Sequence, residues 1–200
     1  MTSPAPREVP DALHHGAPTT LSELFSLYGD HGRRACGDDV TILDHALQCA
    51  DLAVTDGATD ELIVAALFHD VGWFLADENT GDRLLGDHHA AAGARILDPL
   101  FGAAVAQPVA LHVTAKRWRC TIDPDYFDEL SEGSKTTFIA QGGPLGTDER
   151  ASFESHPGFV AAMALRSWDD RAKIRGRTVA GLDHYRVMVH EIARRHASGA

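Results

Sequence analysis

Apolar residues recur along most of this chain at the spacing of one helix face. Leu21, Leu24, Phe25 and Tyr28 stand at i, i+3, i+4 and i+7, which predicts a short amphipathic helix. Gly29, Gly32 and Gly37 then break the rhythm. A second helix is expected over 40–54, entered through Asp38 or Asp39 as cap and stopped near Gly57. A third runs from Asp60 through DELIVAALFHDVG, capped by Thr59 or Asp60; it is apolar nearly all round and therefore central. HHAAAGARILDPL predicts a fourth, closed by Pro99 and Gly102, and Pro108 falls in the expected first turn of a fifth, PVALHVTAKRWRC. Ser131 caps a sixth through Phe138, which the Gln141-Gly142-Gly143-Pro144 loop ends. Two more fit 148–154 and 157–173, and LDHYRVMVHEIARRHA reads as a C-terminal helix. No stretch alternates at period 2 for long and no long repeat occurs. The expected fold class is all-α, a helical bundle.

Composition narrows the picture. Residues 1–18 hold four of the nine prolines and no hydrophobic period, so a mobile tail is expected before a folded unit at 19–175 and a helical extension at 176–200. The chain has 200 residues, 44% hydrophobic, enough to bury a core without staples. Lys and Arg number 18 against 29 Asp and Glu, a formal charge of -11 that argues against duplex nucleic acid or an anionic membrane as partner. No run approaches the roughly 20 apolar residues of a membrane helix, and the N-terminus lacks the apolar stretch of a signal peptide, so a cytoplasmic protein is expected. Cys36, Cys49 and Cys120 are widely spaced and odd in number, as reduced thiols are. The oligomeric state is not written in the sequence. Histidine stands out, with 12 in the chain, and directs attention to a metal site.

The central feature is His69-Asp70 at the end of the most apolar helix. Alone, such a pair is ordinarily a hydrogen-bonded core histidine beside a helix-terminal acid. Here it has company: His45 lies on the preceding helix, His88 and His89 open the next, His112 sits in the middle of the one after, and Asp169 and Asp170 end a late helix. Unpaired imidazoles in an apolar core are costly, so several on converging faces imply a shared ion. Four His and two Asp exceed what one zinc takes, which points to two adjacent metals bridged by a carboxylate. Lys116 stands at i+4 from His112, on the same helix face. Ser134 and Thr137 are i, i+3 neighbours that can both donate to one ligand.

The order His … His-Asp … His … His … Asp resembles the HD-domain superfamily of helical metal-dependent proteins. LDHALQCA, AALFHDVG, His89 followed by Gly93 and Ala94, PVALHVTAKRWRC, the segment ending in QGGP, and RSWDDRAK together resemble one branch of it over roughly residues 20–173. That branch is the mixed-valent diiron oxygenases of phosphonate catabolism, distant relatives of myo-inositol oxygenase. The resemblance implies that His45, His69, Asp70 and Asp169 bind one iron, with Asp70 bridging, and that His89 and His112 complete a second. It favours His89 over His88 by the glycine and alanine that follow, and Asp169 over Asp170 by Lys173 four residues on. It also implies an Fe(II)/Fe(III) pair, O2 as co-substrate, catalytic roles for Asp70 and Lys116, and a phosphonate held by Lys116, Ser134, Thr137 and Gln141. The reaction implied is cleavage of the C–P bond of a 1-hydroxyalkylphosphonate to phosphate and a carboxylic acid.

Two positions depart from the family. The usual HDIGH is HDVGW here, so Trp73 replaces a histidine that helps hold the phosphonate. In ACGDD, Ala35 stands where members carry a lid tyrosine, and Asp38 where they carry a glutamate that reads the substrate's amine. Tyr28 is a candidate to stand in for the tyrosine. The same ligands admit two rival readings: a phosphohydrolase that uses Mn, Mg or Zn to activate water against a small phosphate ester, or a regulatory module with a degenerate site.

Overall fold

The structure is a computed structural model that describes residues 17–35, 40–75 and 88–199. Helix α1 (Leu21–His31) begins at Thr20, whose hydroxyl accepts from the Glu23 amide while the Glu23 carboxylate accepts from the Thr20 amide. That reciprocal pair satisfies N–H groups the first turn cannot bond internally. Helix α2 (Ile42–Thr55) starts later than expected. Its cap is Thr41, which accepts from the Asp44 amide, in place of Asp38 or Asp39, which lie outside the described residues, as does all but the end of the tail expected at 1–18. Thr59 caps α3 (Asp60–Phe68), and every residue from Ile63 to Phe68 is buried.

A 3-10 turn at Val71–Leu75 follows, then α4 (His89–Phe101), α5 (Ala103–Ile122), α6 (Pro124–Glu129), α7 (Glu132–Ala140), α8 (Thr147–Glu154) and α9 (Phe159–Arg171). A second 3-10 turn, Leu182–Tyr185, splits the expected C-terminal segment ahead of α10 (Arg186–Gly199). The prolines do not act where expected. Pro99 lies inside α4, which ends at the expected Gly102 with φ 77°, and Pro108 lies well inside α5. Val105 and Ala106, ahead of Pro108, are buried, and that burial outweighs one lost backbone hydrogen bond. Helix α6 was not expected; its signal was Asp123-Pro124, where the Asp123 carboxylate accepts from the Asp125 amide and proline opens the first turn. Among the described residues there is no strand, only an isolated bridge between Ala35 and Thr41.

Helix α5 packs on α4, α9 and α3, and α2 packs on α3 and α9, while α10 covers α4 and α3. One buried apolar cluster draws residues from α1 through α5, from α9, and from Tyr185, Val189 and Ile192 near the C-terminus. Tyr28 is fully buried in it, edge-on to Phe68 at 5.3 Å and Phe74 at 4.9 Å. Tyr28 is thus a core aromatic and does not replace the missing lid tyrosine. Gly72 fixes how closely the first 3-10 turn meets α4: a Cβ there would stand 2.0 Å from the His89 carbonyl oxygen. No described helix is long and apolar enough to cross a membrane.

Candidate metal centre

Five helices each deliver part of one buried cluster. His45 comes from α2, His69 and Asp70 from the end of α3, His89 from the first residue of α4, His112 from the middle of α5 and Asp169 from α9. All six are buried. His89 points in, whereas His88 is the exposed N-terminal flank of α4 and caps nothing. Asp169 faces His45, whereas Asp170 turns away to Arg166, Arg119 and Tyr126.

The carboxylate of Asp70 divides the cluster. Its Oδ2 lies 3.5 Å from His69 Nε2 and 3.8 Å from His45 Nε2; its Oδ1 lies 3.4 Å from His89 Nε2 and 3.9 Å from His112 Nε2. Asp169 Oδ1 joins the first set, 3.2 Å from His45 Nε2. Three imidazoles are oriented from behind: Nδ1 of His45 donates to the Ala172 carbonyl at 2.8 Å, that of His69 to Ala66 at 2.9 Å and that of His112 to Val109 at 2.7 Å. With the proton fixed on Nδ1, each Nε2 lone pair is aimed into the cluster. There His45 and His69 meet Nε2 to Nε2 at 3.2 Å, and His89 and His112 at 3.0 Å. Two facing lone pairs repel unless a cation lies between them. The donor set fits cations at both places.

Protonation fills that role only at the first pair, where burial is outweighed by Cys49 and Asp169, which hold His45 well above its ordinary range. Burial, with His89 and His69 alongside, pushes His112 down to about 3, and burial pushes His69 down as well. Burial opposes the charge on Asp70, but His69, His89 and His45 outweigh it and hold the carboxyl well below its ordinary range. The groups that remain ionised or carry lone pairs are those a divalent or trivalent cation needs.

Lys116 lies one turn beyond His112 and is 2% exposed. Its Nζ donates to Thr137 Oγ1 at 2.9 Å and to the Ser134 carbonyl at 3.4 Å, which joins three of the expected ligand-binding residues. The Ser134 hydroxyl is engaged by Lys173 at 3.0 Å. Gln141, at the end of α7, has a buried Oε1 with no hydrogen-bond partner among the described residues. Trp73 is partly buried and stacks on the His89 imidazole, centroids 4.5 Å apart and planes at 18°. Asp38 lies outside the described residues.

Sequence reading missed three contributors. Arg166, 2% exposed, pairs with both Asp169 and Asp170; its i+3 and i+4 spacing to them was the available signal. Gln48 clamps the backbone of Ile174 through both amide atoms, 2.9 and 3.0 Å, beside the Ala172 carbonyl that orients His45. Cys49 places its Sγ 3.8 Å from His45 Nε2, one helical turn on.

No family model matches the chain. It is 45% identical over 172 residues, 84% of this chain and 86% of the relative, to a hydroxymethylphosphonate dioxygenase of Gimesia maris. It is 35% identical over 182 residues, 88% of this chain and 90% of the relative, to a 1-hydroxy-2-(trimethylamino)ethylphosphonate dioxygenase (glycine-betaine-forming) of Leisingera caerulea. An uncharacterised protein of Acanthamoeba polyphaga mimivirus is 31% identical over 176 residues, 86% of this chain and 80% of the relative. With such identity along most of their length and its own, the chain belongs to the phosphonate dioxygenase family.

Proposed function

We propose that the protein is an O2-dependent non-haem diiron oxygenase that cleaves the C–P bond of a small 1-hydroxyalkylphosphonate to phosphate and a carboxylic acid. Both named relatives act on a phosphonate with a hydroxyl on the carbon next to phosphorus, and that shared element defines the substrate class. One O2 supplies the two oxygen atoms by which phosphate and acid together exceed the substrate. His45, His69, Asp70 and Asp169 hold one iron; Asp70, His89 and His112 hold the other, as a mixed-valent Fe(II)/Fe(III) pair. The observation that carries this reading is the split of Asp70, each oxygen facing its own pair of imidazoles. The order of these residues along the chain, His … His-Asp … His … His … Asp, supports reading it as a member of the HD-domain superfamily and a distant relative of myo-inositol oxygenase.

When bound, the irons supply Lewis acidity and the redox capacity that O2 chemistry needs. The chain's own residues do the rest. Asp70 and Asp169 stay ionised and balance the positive charge. The Lys116 ammonium and the Thr137 and Ser134 hydroxyls, which lie together, hold the phosphonate oxygens. The Gln141 amide, turned so that its NH2 faces the ligand, adds a donor. Trp73 covers one face of His89 and keeps water from it. Asp38 reads a cationic substituent where the substrate has one.

Anaerobically purified protein given iron and ascorbate tests the reading. It should hold about two irons per chain, show a mixed-valent EPR signal that hydroxymethylphosphonate alters, and consume one O2 per phosphate released. Absence of that signal, together with hydrolysis of a phosphate ester under argon, would replace it with the hydrolase.

A further inference from the structure

We propose that the protein carries a second, outer oxyanion site: a surface cavity that shares Lys173 with the metal cluster and takes inorganic phosphate or the phosphonate head of a substrate. The cavity, about 280 Å³, opens between the ends of α5 and α9, helix α6 and the start of α7. Arg119, Arg171 and Lys173 line it together with Glu129 and Asp170, Ser131 and Ser167, and the apolar Tyr126 and Leu130. On the lining itself, Arg119, Arg171 and Lys173 outnumber Glu129 and Asp170, which is a local excess of cations in a chain of net charge -11. Asp170 offsets little of this toward a ligand. Its oxygens are already engaged by buried Arg166, by Tyr126 O–H at 2.5 Å and by Arg119 at 3.3 Å. Arg119 is further held over the Tyr126 ring, 3.9 Å from its centroid, and Arg171 is anchored from outside by Asp56 at 2.9 Å. Each guanidinium keeps further N–H donors beyond these pairs, in a planar fork that suits a tetrahedral oxyanion.

The inner wall connects the cavity to the cluster. Lys173 Nζ donates to Ser131 Oγ at 3.2 Å and Ser134 Oγ at 3.0 Å, and lies 3.8 Å from Asp169 Oδ1, the oxygen that faces His45. Ser134 is shared by the two compartments: its hydroxyl meets Lys173 and its carbonyl accepts from Lys116. Arg119, Arg171 and Lys173 thus line the cavity, and Lys173 and Lys116 both contact Ser134 on its inner side. The N-terminus of α7, capped by Ser131, adds amide dipoles of the same sign to this wall. That the anion is phosphate or phosphonate rests on the proposed reaction; the cationic lining stands apart from it.

Calorimetric titration of the metal-loaded protein, once with inorganic phosphate and once with methylphosphonate, tests this. Two classes of site are expected for at least one of the anions. Lys116→Ala should weaken the inner one. The pair Arg119→Gln and Arg171→Gln should raise the outer dissociation constant roughly tenfold or more, because each removes a charge-assisted contact. Ser167→Glu, which sets a carboxylate in the cavity and breaks no ion pair, should do the same, and it keeps the test decisive if the arginine variant does not fold. A single class of site for both anions, or an outer site indifferent to Ser167→Glu, overturns the proposal. Two anion sites in a protein that consumes no O2 with a hydroxyphosphonate would leave the outer site standing and sink the reaction instead.

Discussion

Lys116 is an ammonium with almost no access to water, and its direct partners are a hydroxyl and a carbonyl, not an acid. A buried cation is costly until an anion joins it, so the site gains most from a dianionic ligand. Lys116→Ala should raise the substrate dissociation constant roughly tenfold or more and leave the iron content unchanged; unaltered substrate dependence would move the phosphonate elsewhere. Burial, helped by the Arg166 guanidinium, pushes Lys116 down to about 8. The free enzyme loses this charge as pH rises through that value, so kcat/KM should fall above about pH 8. In Lys116→Arg, whose side chain stays charged, that alkaline limb should vanish. Asp38 gives a second residue-scale test, since Thr41 and not Asp38 caps α2. Asp38→Asn should slow turnover of an aminated hydroxyphosphonate and spare hydroxymethylphosphonate; equal losses would remove its role in reading a cation. Lys116 was legible because i+4 from His112 fixes a shared face. Lys173 was not, because its reach toward Ser131 and Ser134 depends on how the chain leaves α9, which no periodicity encodes.

Helix α9 shows what an element adds to its residues. Arg166 sits one turn before Asp169 and Asp170 and binds both, taking Asp169 Oδ2 and leaving Oδ1 toward His45. The helix thus presents a single carboxylate oxygen to the cluster, on a carboxyl that Arg166 and Lys173 hold ionised against the cost of its burial. Arg166→Met leaves two acids without their main counter-charge, a loss of about 3–5 kcal/mol and on the order of 10 °C in Tm for a chain of this size. Scanning calorimetry on metal-free protein checks it, and an unshifted Tm would make the pairing incidental. Arg166→Lys, which keeps charge and loses the two-pronged geometry, should fall between. Elements whose ends rest on local chemistry were legible: Thr59 and Ser131 cap α3 and α7 as their sequences indicate. Where burial overrides a local signal the reading failed, as at Pro99 and Pro108, which two buried helices simply run through.

Five helices each supply part of the ligand cluster, so a bound metal pair ties α2, α3, α4, α5 and α9 to one another beyond their apolar packing, and its binding free energy adds to that of folding. The dependence on pH has a definite sign. An imidazole that ligates a metal through one ring nitrogen must be neutral, whereas in the unfolded chain it takes up a proton below its ordinary 6.5. The unfolded state then binds more protons, so stability falls as pH falls. Tm of the iron-loaded protein should hold above about pH 7 and drop steeply between about 6.5 and 5. Chelation should lower Tm throughout and flatten this drop. In the metal-free cluster burial opposes charge on His45, but Cys49 and Asp169 outweigh it and hold its pKa well above the ordinary value. That group keeps its proton on folding, and its stabilising contribution is present below 6.5 and lost as pH rises. His69 and His112, both pushed down, still make the metal-free protein somewhat weaker in acid. Asp70→Ala removes the one carboxylate common to both ligand sets, so iron should no longer raise Tm and the loaded and chelated profiles should coincide. An Asp70→Ala protein that kept both irons and the steep acid limb would show that the cluster does not depend on a bridge.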